Sequence, residues 1–274
     1  MNATSFHARS MSFFRDQTPL PKYWFRGNPY LTHRANAITL LFPRGEEFFV
    51  RSVRDALPRI TDPQLLRNAR AFAAQESQHS RAHTEHFELL RTHGFDFDGV
   101  MEHTRRQCEW TDKHFSLEMR LAITCAAEHF TAMVARELLG RERDFFNGID
   151  ARVRSMFRWH CLEELEHKAV AFNVMKAIGV SERVRLAGGL IEFFAMMGFW
   201  KRATHILCKQ DGLSPEALDE GRRIAMREGD SPDREFLKRY LEYFKPRFHP
   251  DQHDDRALIE KVALEFDYAR SGRA

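Results

Sequence analysis

Two Glu-x-x-His steps constrain this chain more than any other feature of its sequence. The steps Glu76-Ser-Gln-His79 and Glu164-Leu-Glu-His167 each lie within a long helical pattern. Residues three apart on a helix are neighbours, so each step can offer a carboxylate and an imidazole to the same metal ion. Each step follows another helical pattern with an inward-facing glutamate, Glu46 in the first case and Glu128 in the second. If the four helices pack together, these side chains converge on a dimetal site.

The faces of the predicted helices select the ligands. Glu46 shares a stripe with apolar residues, whereas Glu47 shares its face with arginines. The other candidates also stand in apolar rows, while Glu163 and Glu166 project to either side. The sequence therefore predicts six metal ligands: Glu46, Glu76, His79, Glu128, Glu164 and His167. His83 and His160 lie one turn from these positions, where they could reach a metal or support its ligands, but they are interpreted as core histidines.

Hydrophobic periodicity predicts an all-α fold in a single domain of residues 1–274. Proline and glycine between residues 15 and 44 indicate that residues 1–45 form a mostly irregular N-terminal segment. Residues 46–178 are predicted to form a metal-binding four-helix core, and residues 179–274 to add further helices. The predicted helices span 46–60, 63–92, 116–141, 152–178, 182–208, 215–228, 232–244 and 254–269.

Composition limits the class of partner and compartment. The 42 basic and 39 acidic residues give a net charge of only +3, which argues against a nucleic-acid partner. The four cysteines are scattered without metal-site or disulfide spacing, which predicts a reduced, cytoplasmic protein. The first residues lack the apolar core of an export signal, so we expect no export.

An apolar stretch from Leu186 to Trp200 leaves two interpretations open. It is shorter than the roughly 20 residues that a membrane-spanning helix needs. It is therefore expected to be a buried helix or a contact within a homodimer. The alternative is a helix that touches a membrane surface as a peripheral contact or lines a tunnel for an apolar substrate.

Five segments, spread over nearly the whole chain, carry a resemblance to known proteins: Pro21-Lys-Tyr-Trp24-Phe, Leu41-Phe-Pro-Arg-Gly-Glu46-Glu-Phe-Phe, Gln75-Glu76-Ser-Gln-His79, Glu163-Glu164-Leu-Glu166-His167 and Tyr243-Phe-Lys-Pro-Arg-Phe-His249-Pro. They resemble a bacterial family described as predicted metal-dependent hydrolases, and the ligand order resembles the ferritin-like superfamily. The resemblance implies a ferritin-like four-helix bundle and places the six predicted ligands at the family's metal positions.

The six ligands predict two divalent metal ions, because four carboxylates balance the four positive charges of such a pair. Iron is the expected metal, with manganese or zinc as alternatives. The first hypothesis is oxidation of a small, largely apolar substrate by dioxygen, with an electron donor as partner. The second is a metal-dependent hydrolase whose paired ions activate water. The third is non-enzymatic metal storage or scavenging.

Overall fold

A computed structural model describes residues 6–141, 145–227 and 234–270. Regular structure in these residues is helical, apart from one isolated bridge between Phe25 and Ile149. The predicted all-α class is therefore confirmed. The α-helices in chain order are α1 Pro29–Thr39, α2 Phe42–Ala56, α3 Pro63–Arg91, α4 Asp98–His114, α5 Leu117–Gly140, α6 Ala151–His167, α7 Val170–Ala177, α8 Glu182–Gln210, α9 Pro215–Arg227, α10 Arg234–Tyr240 and α11 Arg256–Arg270. Short 3-10 helices span Leu57–Arg59, Leu241–Phe244 and Pro250–Gln252.

Four helices form a closed ring, since α2 and α6 each contact both α3 and α5. Local capping sets where three of them begin. The side chains of Asp62, Ser116 and Asp150 accept hydrogen bonds from backbone amides in the first turns of α3, α5 and α6. Each such cap contributes about 1 kcal/mol. The apolar stripes of the four helices face inward, so the ring is a four-helix bundle. Its relationship to ferritin-like proteins stays a prediction.

The N-terminal segment is less irregular than predicted, because α1 occupies residues 29–39 and α2 begins at Phe42. Two of the prolines that suggested a loop, Pro29 and Pro43, lie in the first turns of these helices. Pro29 follows Asn28, whose side chain accepts a hydrogen bond from the amide of Leu31, and Pro43 lies in the first turn of α2. Proline is favoured there because the first amides of a helix have no intrahelical partner. The prediction of an irregular segment over 1–45 is therefore wrong for these residues.

Helix α4 was not predicted. Val100 and Thr104 are its only buried residues, so it carries no continuous apolar stripe. It packs on the outside of α2, within the span 46–178 that was predicted to hold only the four core helices. A helix that buries so few side chains leaves little periodic signal in the sequence.

The helix predicted over 152–178 is interrupted directly after His167. Residues 168 and 169 form a turn that separates α6 from α7. The ammonium of Lys168 is buried there and donates to the carbonyl oxygen of His253 and to Asp255, each at 2.6 Å. These long-range hydrogen bonds to the C-terminal segment form where the helix is interrupted. The residues around Lys168 in the sequence do not predict them.

Helix α8 contains the apolar stretch and packs against α5 and α1. Two of its three glycines, Gly188 and Gly189, lie where the backbone closely approaches its neighbours. A Cβ on Gly188 would lie 2.5 Å from that of Ala122, and one on Gly189 would lie 2.7 Å from the ring of Tyr243. The opposite face leaves Leu190 and Phe194 exposed. None of the helices in the described ranges is long and apolar enough to span a membrane. The homodimer and the peripheral membrane contact stay predictions.

Candidate metal centre

The bundle brings all six predicted ligands together in its interior. They come from four helices, and every one of them is buried. The ligand atoms of Glu76, Glu128 and His167 lie within 4.8 Å of one another, and so do those of Glu76, His79 and Glu164. In the structure, the two Glu-x-x-His steps converge as predicted. Whether the six residues bind metal stays a prediction.

His167 lies at one end of the cluster. Its Nε2 atom is 3.0 Å from Oε1 of Glu76, 3.4 Å from Oε2 of Glu128 and 3.7 Å from Oε2 of Glu164. His79 lies across from it, with Nδ1 3.6 Å from Oε1 of Glu164 and 3.9 Å from Oε2 of Glu76. Glu76 and Glu164 thus stand between the two imidazoles.

His160 also belongs to this cluster, although the sequence interpretation left it out. Its Nε2 atom lies 2.9 Å from Oε1 of Glu164 and 3.7 Å from Oε1 of Glu46. Glu46, His79 and His160 form a third group whose ligand atoms lie within 4.8 Å of one another. The signal in the sequence was the four-residue spacing from His160 to Glu164, which places both on one face. Three histidines and four carboxylates therefore surround the site.

The hydrogen bonding of the cluster is incomplete. Eight buried oxygen and nitrogen atoms of these side chains lack a hydrogen-bond partner within the described part of the chain. They are both carboxylate oxygens of Glu46 and of Glu76, Nδ1 of His79, Oε2 of Glu128, Oε2 of Glu164 and Nε2 of His167. A buried polar atom without a partner costs about 1–3 kcal/mol. Eight such atoms in one cluster therefore indicate that the site binds a ligand. Carboxylate oxygens and imidazole nitrogens together suit divalent iron, manganese or zinc, and the residues present fit a pair of such ions.

The electrostatics show the same need for cations. Burial and the neighbouring carboxylates raise the pKa of Glu46 well above its ordinary value. Burial is also the first cause that raises the pKa of Glu76 to about 8 and that of Glu128 to about 7. Burial alone would lower the pKa of His167, but the carboxylates around it, Glu164 first, raise it well above its ordinary value. Without metal, the site therefore holds protons instead.

Each histidine of the cluster is held through the ring nitrogen that faces away from it. Nε2 of His79 lies 3.1 Å from Oε2 of Glu163, and Nδ1 of His167 lies 2.9 Å from Oε1 of Gln75. Nδ1 of His160 lies 2.7 Å from Nε2 of His83. Supports of this kind fix the tautomer and the direction of a metal-binding imidazole.

Sequence reasoning missed Gln75 and treated Glu163 as a residue that projects to one side. Glu163 is in fact fully buried. Each of the two immediately precedes a predicted ligand, Glu76 or Glu164, and that position was the only local signal. The alternative that His83 supports a metal ligand agrees with its contact to His160.

An apolar cavity of about 210 Å³ reaches the cluster. His160, Cys161 and Glu164 lie among its lining residues, so the cavity meets the cluster on the α6 side. Phe130 and Phe157 line it, whereas Phe72 and Phe87 are buried in the core. Most of the other lining residues are apolar, and seven of these come from α1, α5 and α8: Leu31, Ala35, Ile38, Val134, Ala135, Leu138 and Trp200. Trp200 thus ties the apolar stretch of α8 to the cavity.

Comparison with known proteins gives one family. A family described as predicted metal-dependent hydrolase matches residues 7–254, which is nearly the whole chain. Neither the comparison with curated proteins nor the comparison with solved structures gives a match.

Proposed function

Because this chain belongs to the family of predicted metal-dependent hydrolases, we propose that it is an enzyme that hydrolyses a small, largely apolar molecule. The site would use two divalent metal ions held by seven side chains: Glu46, Glu76, His79, Glu128, His160, Glu164 and His167. One observation carries the proposal, namely the eight buried ligand atoms that face one another without hydrogen-bond partners. The family assignment supports this alternative better than the oxidation that the sequence alone ranked first.

The charges of the site favour two divalent ions over one. Four buried carboxylates carry four negative charges, which two divalent ions neutralise. Burying an isolated carboxylate is expensive, and the raised pKa values of Glu46, Glu76 and Glu128 reflect that cost. Binding of the metal pair would displace the protons that otherwise neutralise these carboxylates.

In the proposed reaction, some residues of the chain would bind the substrate and others would orient the metal ligands. Bound divalent ions would polarise a carbonyl or phosphoryl group and lower the pKa of water. Apolar side chains of the cavity would hold the substrate body and keep bulk water out, with His160 and Glu164 nearest to the reacting group. Glu163 and Gln75 would keep the lone pairs of His79 and His167 directed at the cluster.

The first experiment measures metal content and hydrolysis together. Purified protein would be analysed for bound metal and assayed on p-nitrophenyl esters of increasing acyl length and on a p-nitrophenyl phosphodiester. Two metals per chain and hydrolysis that a chelator abolishes are expected. Glu46→Ala should lose metal and activity, whereas Glu47→Ala, which changes the exposed neighbour, should retain both. Two bound metals without hydrolysis of any of these substrates would contradict the hydrolytic reaction.

The same experiment tests which of the six predicted residues matter for binding. Glu76→Ala and His167→Ala should each abolish the binding of two metals per chain. Retention of two metals in both variants would refute the proposed ligand set.

Oxidation by dioxygen is the second candidate, and the apolar cavity beside a cluster of carboxylates and imidazoles favours it. Such a cavity suits an apolar substrate and a reaction from which water is excluded. Anaerobic loading with ferrous iron followed by exposure to oxygen would distinguish the two reactions. Stoichiometric oxygen uptake with substrate oxidation would favour the oxidative reaction, and zinc in the isolated protein would exclude it.

A further inference from the structure

Arg9 is a buried cation on the N-terminal segment, and its contacts lead directly to the supports of the metal centre. Only 2% of its surface is exposed. Its guanidinium forms a two-pronged ion pair with Glu166, with Nη1 2.7 Å from Oε2 and Nη2 2.8 Å from Oε1. Nε of Arg9 also donates to Asp267 of α11 at 2.8 Å. One side chain therefore joins the N-terminal segment, α6 and α11.

The first branch from Arg9 runs through Glu163. The backbone amide of Arg9 donates to Oε1 of Glu163 at 3.1 Å, and Nη1 lies 3.3 Å from the same oxygen. Trp159 donates to this oxygen as well, at 3.0 Å. The other oxygen of Glu163 is therefore left to accept from Nε2 of His79. Protonation of His79 at Nε2 leaves the lone pair of Nδ1 directed at Glu76 and Glu164.

The second branch runs through Glu166 and Gln75. The amide nitrogen of Gln75 donates to Oε2 of Glu166 at 2.8 Å and to the carbonyl oxygen of His7 at 3.2 Å. With both neighbours acting as acceptors, the amide oxygen of Gln75 must face His167. It accepts from Nδ1 of His167, which leaves the lone pair of Nε2 directed at the cluster.

We propose that Arg9 is a positioning residue that sets the metal-binding tautomer of both His79 and His167. The inference rests on the metal binding proposed above. Its physical basis is that Arg9 neutralises Glu163 and Glu166 while it holds their oxygens in place, so that each carboxylate acts on a histidine in one orientation. The anchor at Asp267 makes tight metal binding depend on the docking of the N-terminal segment and α11 on the bundle.

The test uses the full-length protein and Co²⁺ as the probe metal. Co²⁺ would be titrated into metal-free wild-type, Arg9→Ala and Arg158→Ala proteins, with its visible absorption bands as a reporter of ligand geometry. Arg158→Ala is the matched control, because it breaks the ion pair that joins α6 to Glu265 of α11. Arg9→Ala should bind Co²⁺ at least tenfold more weakly, with shifted absorption bands, since loss of such supports typically costs 10–100-fold in affinity. Arg158→Ala should match the wild type.

Each result either supports the role of Arg9 or overturns it. Equal affinity in Arg9→Ala and wild type would overturn the role of Arg9, and so would equal weakening in Arg9→Ala and Arg158→Ala. A wild-type protein that binds no Co²⁺ would overturn the proposed metal centre as well. If circular dichroism shows that Arg9→Ala does not fold, Arg9→Lys replaces it. Lysine keeps the charge but cannot span Glu163, Glu166 and Asp267 at once, so the same weakening is expected.

Discussion

Nε2 of His160 lies 2.9 Å from Oε1 of Glu164, at the place where the apolar cavity meets the metal centre. The two residues are one turn apart on α6, and both are buried. The same Nε2 atom lies 3.7 Å from Oε1 of Glu46, and Nδ1 of His160 is supported by His83. These contacts make His160 a seventh candidate ligand and, with Glu164, one of two that line the cavity.

Replacement of His160 should therefore weaken metal binding. His160→Ala removes one nitrogen from the group formed with Glu46 and His79, and we expect at least a tenfold loss of affinity for one of the two metals. Metal titration of the variant measures this loss. His205→Ala changes an exposed histidine on α8 and serves as the control. Unchanged affinity for both metals in His160→Ala would return His160 to the role of a core histidine.

The stability of the metal-free protein should fall as the pH rises from the ordinary carboxyl range toward about 8. The pKa of Glu76 is raised to about 8 and that of Glu128 to about 7, so both carboxyls bind protons more tightly in the folded protein than in the unfolded chain. Their contribution is complete below the ordinary carboxyl pKa and is lost as the pH rises through these values. His167, with its raised pKa, acts in the same direction.

Thermal unfolding of the chelator-treated protein between about pH 6.5 and 8.5 measures this effect. Above pH 6.5 the lowered pKa of His79 contributes little, because that residue is then mostly neutral in both states. With two metals bound, the carboxylates are deprotonated throughout and the decline should disappear. A metal-free protein whose melting temperature is constant or rises over this range would contradict the assignment.

Filling the cavity should impair substrate binding without removing metal. Ala35 lines the cavity on α1 and is only partly buried, so the larger side chain of Ala35→Phe can enter the open space. We expect at least a tenfold loss in kcat/KM for the longest accepted acyl ester, with two metals still bound. Ala195→Phe places the same side chain on an exposed part of α8 as a control. Equal losses in both variants would show that the cavity does not receive the substrate.

The carboxyl of Glu192, away from the metal centre, allows a separate test of how burial affects stability. It interrupts the apolar stretch of α8, is buried, and accepts a 2.7 Å hydrogen bond from the hydroxyl of Tyr240. Burial raises its pKa to about 7, so ionisation above that pH destabilises the folded protein. Glu192→Gln keeps an acceptor for Tyr240 and removes the charge.

The expected gain from Glu192→Gln depends on pH. The wild type loses the contribution of Glu192 as the pH rises from its ordinary pKa through about 7, so the variant should be more stable by up to about 3 kcal/mol at pH 8. The gain should shrink as the pH falls toward 5. Denaturant unfolding at several pH values measures it, and a gain that does not vary with pH would be the contrary result.

The helices that carry the predicted ligands, and the faces on which these ligands lie, could be predicted from the sequence. The reason is that spacing along a helix is local: Glu76 and His79, or Glu164 and His167, are neighbours in any helix that contains them. The inward stripe of α2 also separated Glu46, which is buried, from Glu47, which is exposed, but the stripe of α6 wrongly left the buried Glu163 outside. The local pattern did not predict α4, because that helix buries few side chains. It did not predict α1 either, because the proline at the start of that helix was interpreted as part of a loop.

The residues that surround those ligands depend on how the helices pack. Arg9 and Glu163 are 154 residues apart in sequence, and Gln75 and His167 are 92 apart. No periodicity relates such positions, because their contact arises from the packing of separate helices and not from the geometry of one. The same holds for the cavity, whose walls come mainly from α1, α5, α6 and α8. For His160, the helix face followed from spacing, but the contact with Glu46 required α2 and α6 both to pack on α3 and α5.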